Sequence, residues 1–294
     1  MNEPKQIKIN NIINKMTLYQ KISFLCGKNF WQTKDFPELG IPLIEVADGP
    51  YGVRKQTGIH DHMGWNKSLP ATAYPSGPSM AASWDESLAK ELGEYLGAEA
   101  HSFGIDILLG PAINIVRTPL CGRNFEYFSE DPYLAGNMAS AYINGLKNQN
   151  VGACVKHFAV NNQETDREYI NVDVDERTLR EIYLAAFEEV IKSASPISVM
   201  AALNKVNGYY CSENKTLLTD ILRDEWKFSG IVMSDWFGVN DMAAAVLAGL
   251  DLEMPVNDGS SVERIKNELN KGGITEEDIN ACVYRLISVA LEID

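Results

Sequence analysis

An α/β fold of the (β/α)8 TIM-type barrel, irregular in its first units, is what this sequence predicts. Three observations carry the prediction. Short apolar runs alternate with stretches whose apolar residues recur every three or four positions, the pattern of parallel strands covered by helices. The 294 residues suit a barrel, which needs roughly 250. One apolar run after another also stops at a polar or charged residue with no turn between, and strand ends of that kind build the site of a barrel.

In chain order, strands are expected over residues 41–47, 105–109, 152–157, 197–203, 230–234 and 250–254. A helix over 83–103 opens with Ser83 and Glu86 at the spacing of a capping box. The next, over 134–149, follows an Asp-Pro pair. A third, over 175–193, lines up Leu179, Ile182, Tyr183, Ala186, Phe187 and Val190 on one stripe. Helices over 215–226, 240–248, 262–269 and 275–293 complete the alternation. Six strands leave an eightfold barrel two short. The missing pair would fall in 52–78, which is rich in Gly and Pro and has no strong period. Either the barrel is irregular there or that stretch is a long active-site loop. The chain reads as a single domain over 1–294, with 1–16 as an N-terminal extension.

The net charge of −14 argues against nucleic acid or an anionic membrane surface as partner, and it permits a neutral substrate such as a sugar. Cys26, Cys121, Cys154, Cys211 and Cys282 are scattered and odd in number, as expected of free thiols in a reducing compartment. The polar start lacks the apolar stretch of a secretory signal. No run approaches the roughly 20 apolar residues of a membrane span. The expected location is cytoplasmic. His60-Asp61-His62 has no third ligand at a recognisable spacing, so it reads as a loop. Glycine-rich phosphate loops are absent. No metal and no cofactor are expected.

The candidate site collects at the strand ends. Asp235 closes the run Gly230-Ile231-Val232-Met233-Ser234 and precedes Trp236. A carboxylate leaving a buried strand beside an indole suits a sugar ring, which needs a charge and a flat apolar wall; the same Asp also suits a helix cap. Asp48, in Asp48-Gly49-Pro50-Tyr51-Gly52-Val53-Arg54, can accept two sugar hydroxyls or open a turn. Arg123, in Gly122-Arg123-Asn124-Phe125-Glu126, can hold a hydroxyl or pair with Glu126. Lys156 and His157 end one strand together and face one ligand only if the strand stops or bulges there. Met200 reads as core or pocket lining.

Taken in order, four motifs resemble the N-terminal barrel domain of glycoside hydrolase family 3, in its β-glucosidase and β-xylosidase branch. They are Asp48 to Arg54; Gly122 to Glu126 with Glu130-Asp131-Pro132; Lys156-His157-Phe158 with Asn162-Gln163-Glu164; and Val232 to Trp236. The likeness runs from about Met16 to the last residue. It implies a retaining β-glycosidase acting on terminal non-reducing β-D-glycosyl residues of a β-glucoside or related oligosaccharide. Asp235 matches the nucleophile, and Asp48, Arg123, Lys156 and His157 match groups that bind sugar hydroxyls. Trp236 matches an aromatic wall and Met200 a lining residue.

Two departures stand out. Leu203 occupies a position where the family often has Tyr, and it cannot donate that hydroxyl's hydrogen bond. The branch usually carries its acid/base Glu on a following α/β sandwich domain, and this sequence stops at Asp294. The expectation is therefore weak activity alone, or completion by a separate chain supplying that Glu. Glu164 or Asp166 on the flanking loop is the substitute within the chain. The alternative is a catalytically silent carbohydrate-binding or scaffold domain, an isolated or engineered barrel.

Overall fold

A computed structural model describes residues 3–61 and 64–293; His62 lies outside them. Its strands in chain order are β1 (Val46–Ala47), β2 (Ile107–Leu108), β3 (Gly152–Phe158), β4 (Asn171–Val172), β5 (Ser198–Ala201), β6 (Lys205–Val206), β7 (Tyr209–Tyr210) and β8 (Ile231–Ser234). The main sheet runs β1-β2-β3-β5-β8, parallel throughout. Every residue of its five strands is buried, as a sheet covered on both faces requires. A small sheet, β4-β6-β7, sits on the connections after β3 and β5.

The parallel sheet is only partly closed, and single bridges carry it further. On one edge Met233 pairs with Leu252, and Glu253 with Cys26. Residues 250–254, expected as a sixth strand, thus contribute isolated parallel bridges. The backbone bonds Ser234 N to Leu252 O (2.9 Å), Glu253 N to Leu25 O (2.8 Å) and Gly27 N to Glu253 O (2.9 Å) stitch this seam. On the other edge the expected strand 41–47 is shortened. Residues 41–45 turn back on 32–36, with antiparallel bridges Gln32 to Glu45 and Phe36 to Ile41. Their ladder groups go to a local hairpin, leaving two residues for β1. Among its described residues the region 52–78 holds no strand; they are held by bridges Asp48 to Arg54 and Gln56 to Ser68 and lead into the short helix Gly77–Ala81. The first units are irregular for that reason.

Helices flank the sheet, and four of them are capped by Asp. Asp85, Asp131, Asp175 and Asp241 each accept backbone N–H groups at the start of Glu86–Ser102, Pro132–Asn148, Glu176–Thr178 and Met242–Ala248. The expected Ser83 cap is corrected: Asp85 caps, while the Ser83 hydroxyl donates to Met80 O at 2.7 Å. The expected helix over 175–193 is interrupted by a π turn at Leu179–Tyr183 before Ala185–Ser193. Residues 1–16, read as an extension, include the helix Glu3–Lys15, whose Ile9, Ile12 and Ile13 are buried. It packs on the closing helix Glu276–Ile293, with Lys5 paired to Glu292 at 3.2 Å.

Helices Glu86–Ser102 and Pro132–Asn148 cross where Gly93 meets Gly145. A Cβ on Gly93 would strike the Tyr142 carbonyl, and one on Gly145 the Lys90 carbonyl. Among the described residues no helix is long and apolar enough to cross a membrane. All five cysteines are free and buried.

One buried carboxylate holds the strand that carries the site. Asp251 is fully buried and accepts from Arg223 Nη2 (2.6 Å), Arg285 Nε (2.7 Å) and Val232 N (2.8 Å) within β8. Removing it strands two guanidiniums and a strand N–H. Asp251→Ala is therefore expected to lower stability by about 3–5 kcal/mol, read as a shift of the urea midpoint at unchanged slope.

Candidate active site

The strand ends converge at the mouth. Asp235 follows β8 directly, and its backbone N–H bonds Ala201 O of β5 at 3.1 Å. Its Oδ1 accepts from the Trp236 N–H at 2.7 Å, while Oδ2 stands 3.9 Å from His157 Nε2. Burial pushes the Asp235 carboxyl above the ordinary carboxylate range, and Arg123 and Lys156 pull it back only in part.

Lys156 and His157 close β3. Register against β5 shifts between Val155 and Phe158, the bulge that two adjacent residues need to serve one site. Lys156, 4% exposed, donates to Asp48 Oδ1 at 3.0 Å. Burial works against its ammonium, but Asp48 and Glu126 together more than offset that, and its pKa is raised. Asp48 is the wetter partner, with 39% of its side chain exposed. Burial opposes its charge too; Lys156, together with Arg54 at 3.9 Å, holds the carboxyl at about 2. Gly49, at φ +99°, makes the turn that aims Asp48, and a Cβ there would collide with the Gly52 carbonyl.

Arg123 sits in the loop after β2. Its Nε donates to Glu126 Oε1 in a short bond, and its Nη2 lies 2.8 Å from His157 Nε2. Burial disfavours the guanidinium charge, yet Glu126 and Asp235 raise its pKa. His157 is 1% exposed; burial, then Arg123, Lys156 and Arg167, push its pKa well below the usual value. Its 3.9 Å approach to Asp235 is therefore no ion pair.

Trp236 is buried next to Asp235: its Nε1 donates to Phe30 O at 3.1 Å, and its ring lies 5.2 Å from that of Trp31. Trp31 in turn carries Arg54 over its face at 5.3 Å. Met200 is buried in the core cluster, in register with Met233. Leu203 is buried and touches the turn after Asp235 at Gly238, so an apolar side chain stands beside the carboxylate's loop. Sequence reasoning missed three contributors. Asn114 was visible only as a strand end; Trp31 and Phe30 gave no signal, because they lie in an irregular segment before β1.

Asp48, Tyr51, Thr72, Arg123, Phe125 and Lys156 line a cleft of about 440 Å³, within the range of small-ligand sites. A larger hollow of about 920 Å³ lies at the other ends of the strands, against Gly152, Ile197 and Gly230. It holds none of the groups above. Among the described residues no cluster of His, Cys, Asp and Glu is placed to hold a metal ion.

Acidic and basic side chains thus gather at the carboxyl ends of the parallel strands, beside two tryptophans, where barrel-type folds carry their sites. Residues 24–289 match the glycosyl hydrolase family 3 N-terminal domain, and the chain belongs to that family. It is 49% identical over 283 residues to thermostable beta-glucosidase B of Acetivibrio thermocellus, covering 96% of this chain and 38% of the relative. An exo-alpha-(1->6)-L-arabinopyranosidase of Bifidobacterium longum is 43% identical over 250 residues, 83% of this chain and 32% of the relative. The beta-glucosidase of Kluyveromyces marxianus, solved in complex with glucose, superposes with a TM-score of 0.92 at 39% identity, covering 97% of this chain and 34% of that one. This chain thus spans about a third to two fifths of these relatives' lengths.

Because Lys156 holds Asp48 ionised, Lys156→Met is expected to move the Asp48 midpoint up from about 2 toward the ordinary carboxylate range of about 3.9. Carboxyl 13C NMR titration reads the shift directly. The sign for stability follows. The Asp48 contribution is fully present above the unfolded carboxylate range and is lost as pH falls through about 2; Lys156→Met should flatten that part of the acid-unfolding curve.

Proposed function

We propose that this chain is a barrel domain of a retaining β-glycosidase, acting on terminal non-reducing β-D-glycosyl residues with Asp235 as nucleophile. The observation that carries the reading is Asp235 at the end of β8, within 3.9 Å of His157, with Arg123 on the same ring nitrogen and the Lys156–Asp48 pair at the neighbouring strand ends. In this reading Asp48, Arg123, Lys156 and His157 take the hydroxyls of the first sugar, Trp236 flanks its ring, and Met200 backs the wall. Asp235 attacks the anomeric carbon and forms a glycosyl ester as the aglycone oxygen leaves. The attacking carboxylate must be ionised; burial works against that at Asp235, and Arg123, Lys156 and Arg167 oppose the burial. The beta-glucosidase and arabinopyranosidase relatives support a glycoside substrate, and their different printed names leave the sugar open.

A retaining enzyme also needs an acid/base carboxyl roughly 5–5.5 Å from the nucleophile. The nearby carboxylates are already engaged. Lys156 holds Asp48, Arg123 holds Glu126, and Glu164 accepts from Arg167 at 3.0 Å and from Asn161 at 3.3 Å. We therefore assign the acid/base to a Glu on a partner domain, in place of Glu164 or Asp166. The five free, buried thiols support a reducing, cytoplasmic setting.

Three expectations test this. An activated aryl β-glucoside should give a burst of phenol that Asp235→Ala abolishes, and a 2-fluoro glucoside should add one glycosyl mass at Asp235. Alkyl glucosides should react about 10²–10⁴-fold more slowly, the share of general acid assistance. Glucose binding with no burst and no adduct would make the domain a silent sugar binder.

A further inference from the structure

We propose that Asn114 is a positioning residue that fixes which nitrogen of His157 carries the proton, and so fixes how Arg123 and Asp235 face each other across that ring. Its consequence for catalysis rests on the reading of Asp235 as nucleophile; the tautomer itself does not.

Asn114 is 2% exposed and brackets the His157 backbone. Its Oδ1 accepts the His157 N–H at 2.8 Å, and its Nδ2 donates to His157 O at 2.8 Å. Turning the amide over would set donor against donor and acceptor against acceptor, so its orientation is determined. The oxygen then also faces His157 Nδ1 at 3.4 Å, a long contact that only Nδ1–H can satisfy. On the far side of the ring, Arg123 Nη2 stands 2.8 Å from Nε2. A guanidinium has donors alone, so Nε2 must accept. Both neighbours demand the same neutral tautomer, with the proton on Nδ1. Arg123, Lys156 and Arg167 further disfavour the imidazolium, while Asp235 favours it.

The tautomer has a consequence 3.9 Å away, at Asp235 Oδ2. With the proton on Nε2, His157 would turn a donor toward Asp235 and lose its bond from Arg123. The carboxylate would be paired and the guanidinium released from its acceptor. With the proton on Nδ1, Arg123 stays tethered between Glu126 and His157, and Oδ2 accepts nothing from the ring.

The test uses the whole chain labelled with 15N-histidine. Only four histidines are present, and His157→Gln assigns the relevant signal. Wild-type His157 should show neutral Nδ1–H across about pH 5–8. Asn114→Ala should give a mixture or the Nε2–H form, and Asn114→Gln, which keeps both the amide acceptor and the amide donor, should restore part of the Nδ1–H form. The aryl-glucoside burst rate should fall by about tenfold in Asn114→Ala, the worth of one good hydrogen bond, and recover in part in Asn114→Gln. A wild-type Nε2–H form overturns the proposal, as does an unchanged Nδ1–H form in a folded Asn114→Ala. A missing burst in the wild type counts against the proposed function, and the tautomer still decides this inference.

Discussion

An ammonium that is almost wholly buried has to be neutralised, paired or deprotonated, and at the mouth of this barrel Lys156 is paired. Asp48, reached from a different strand end across 108 positions of sequence, keeps it charged. The same requirement spreads outward. Asp48 takes a second cation from Arg54, Arg123 is answered by Glu126, and His157 is left neutral by its burial and by the three cations around it. Each charge is set by its neighbour, so the site behaves as one electrostatic unit, with Lys156 and His157 at its driest point and Asp235 partly exposed beside them.

The scaffold holds that unit with hydrogen bonds to main chain as much as with packing. Tyr142 donates to Pro50 O at 2.7 Å and Tyr51 to Glu126 O at 2.9 Å, tying the loop of Asp48 to that of Arg123. Asp251 clamps β8 from below. Trp31 and Trp236 close the other side. These contacts join segments far apart in the chain, and groups held on rigid strand ends lose little freedom when a ligand arrives.

Much of this was legible because burial leaves a period. The runs that became β3, β5 and β8 are uninterrupted apolar stretches, as strands covered on both faces must be, and the polar residues that end them are the site. The helices after Asp131, Asp175 and Asp241 announced themselves by the spacing of their apolar residues. Where reading failed, a competing local partner explains it. Residues 41–45 have the composition of a parallel strand, but they pair antiparallel with 32–36. Ser83 offered a capping box that Asp85, two residues on, took over. The stripe Ile9, Ile12, Ile13 and Met16 had helical spacing within a polar segment, and only its packing on the closing helix gave it a role.

By itself the sequence determined the class of fold and the list of polar groups at the strand ends, because hydrophobic period and chain order are local properties. It determined too that Asp235 leaves a buried strand beside an indole. Only the tertiary structure decided which of those groups meet: that Lys156 answers Asp48, that Arg123 reaches His157, and that Asn114 brackets the same histidine from behind. Pairing between distant residues depends on strand register and on the bulge in β3, which are set by the whole sheet and leave no mark at any one position.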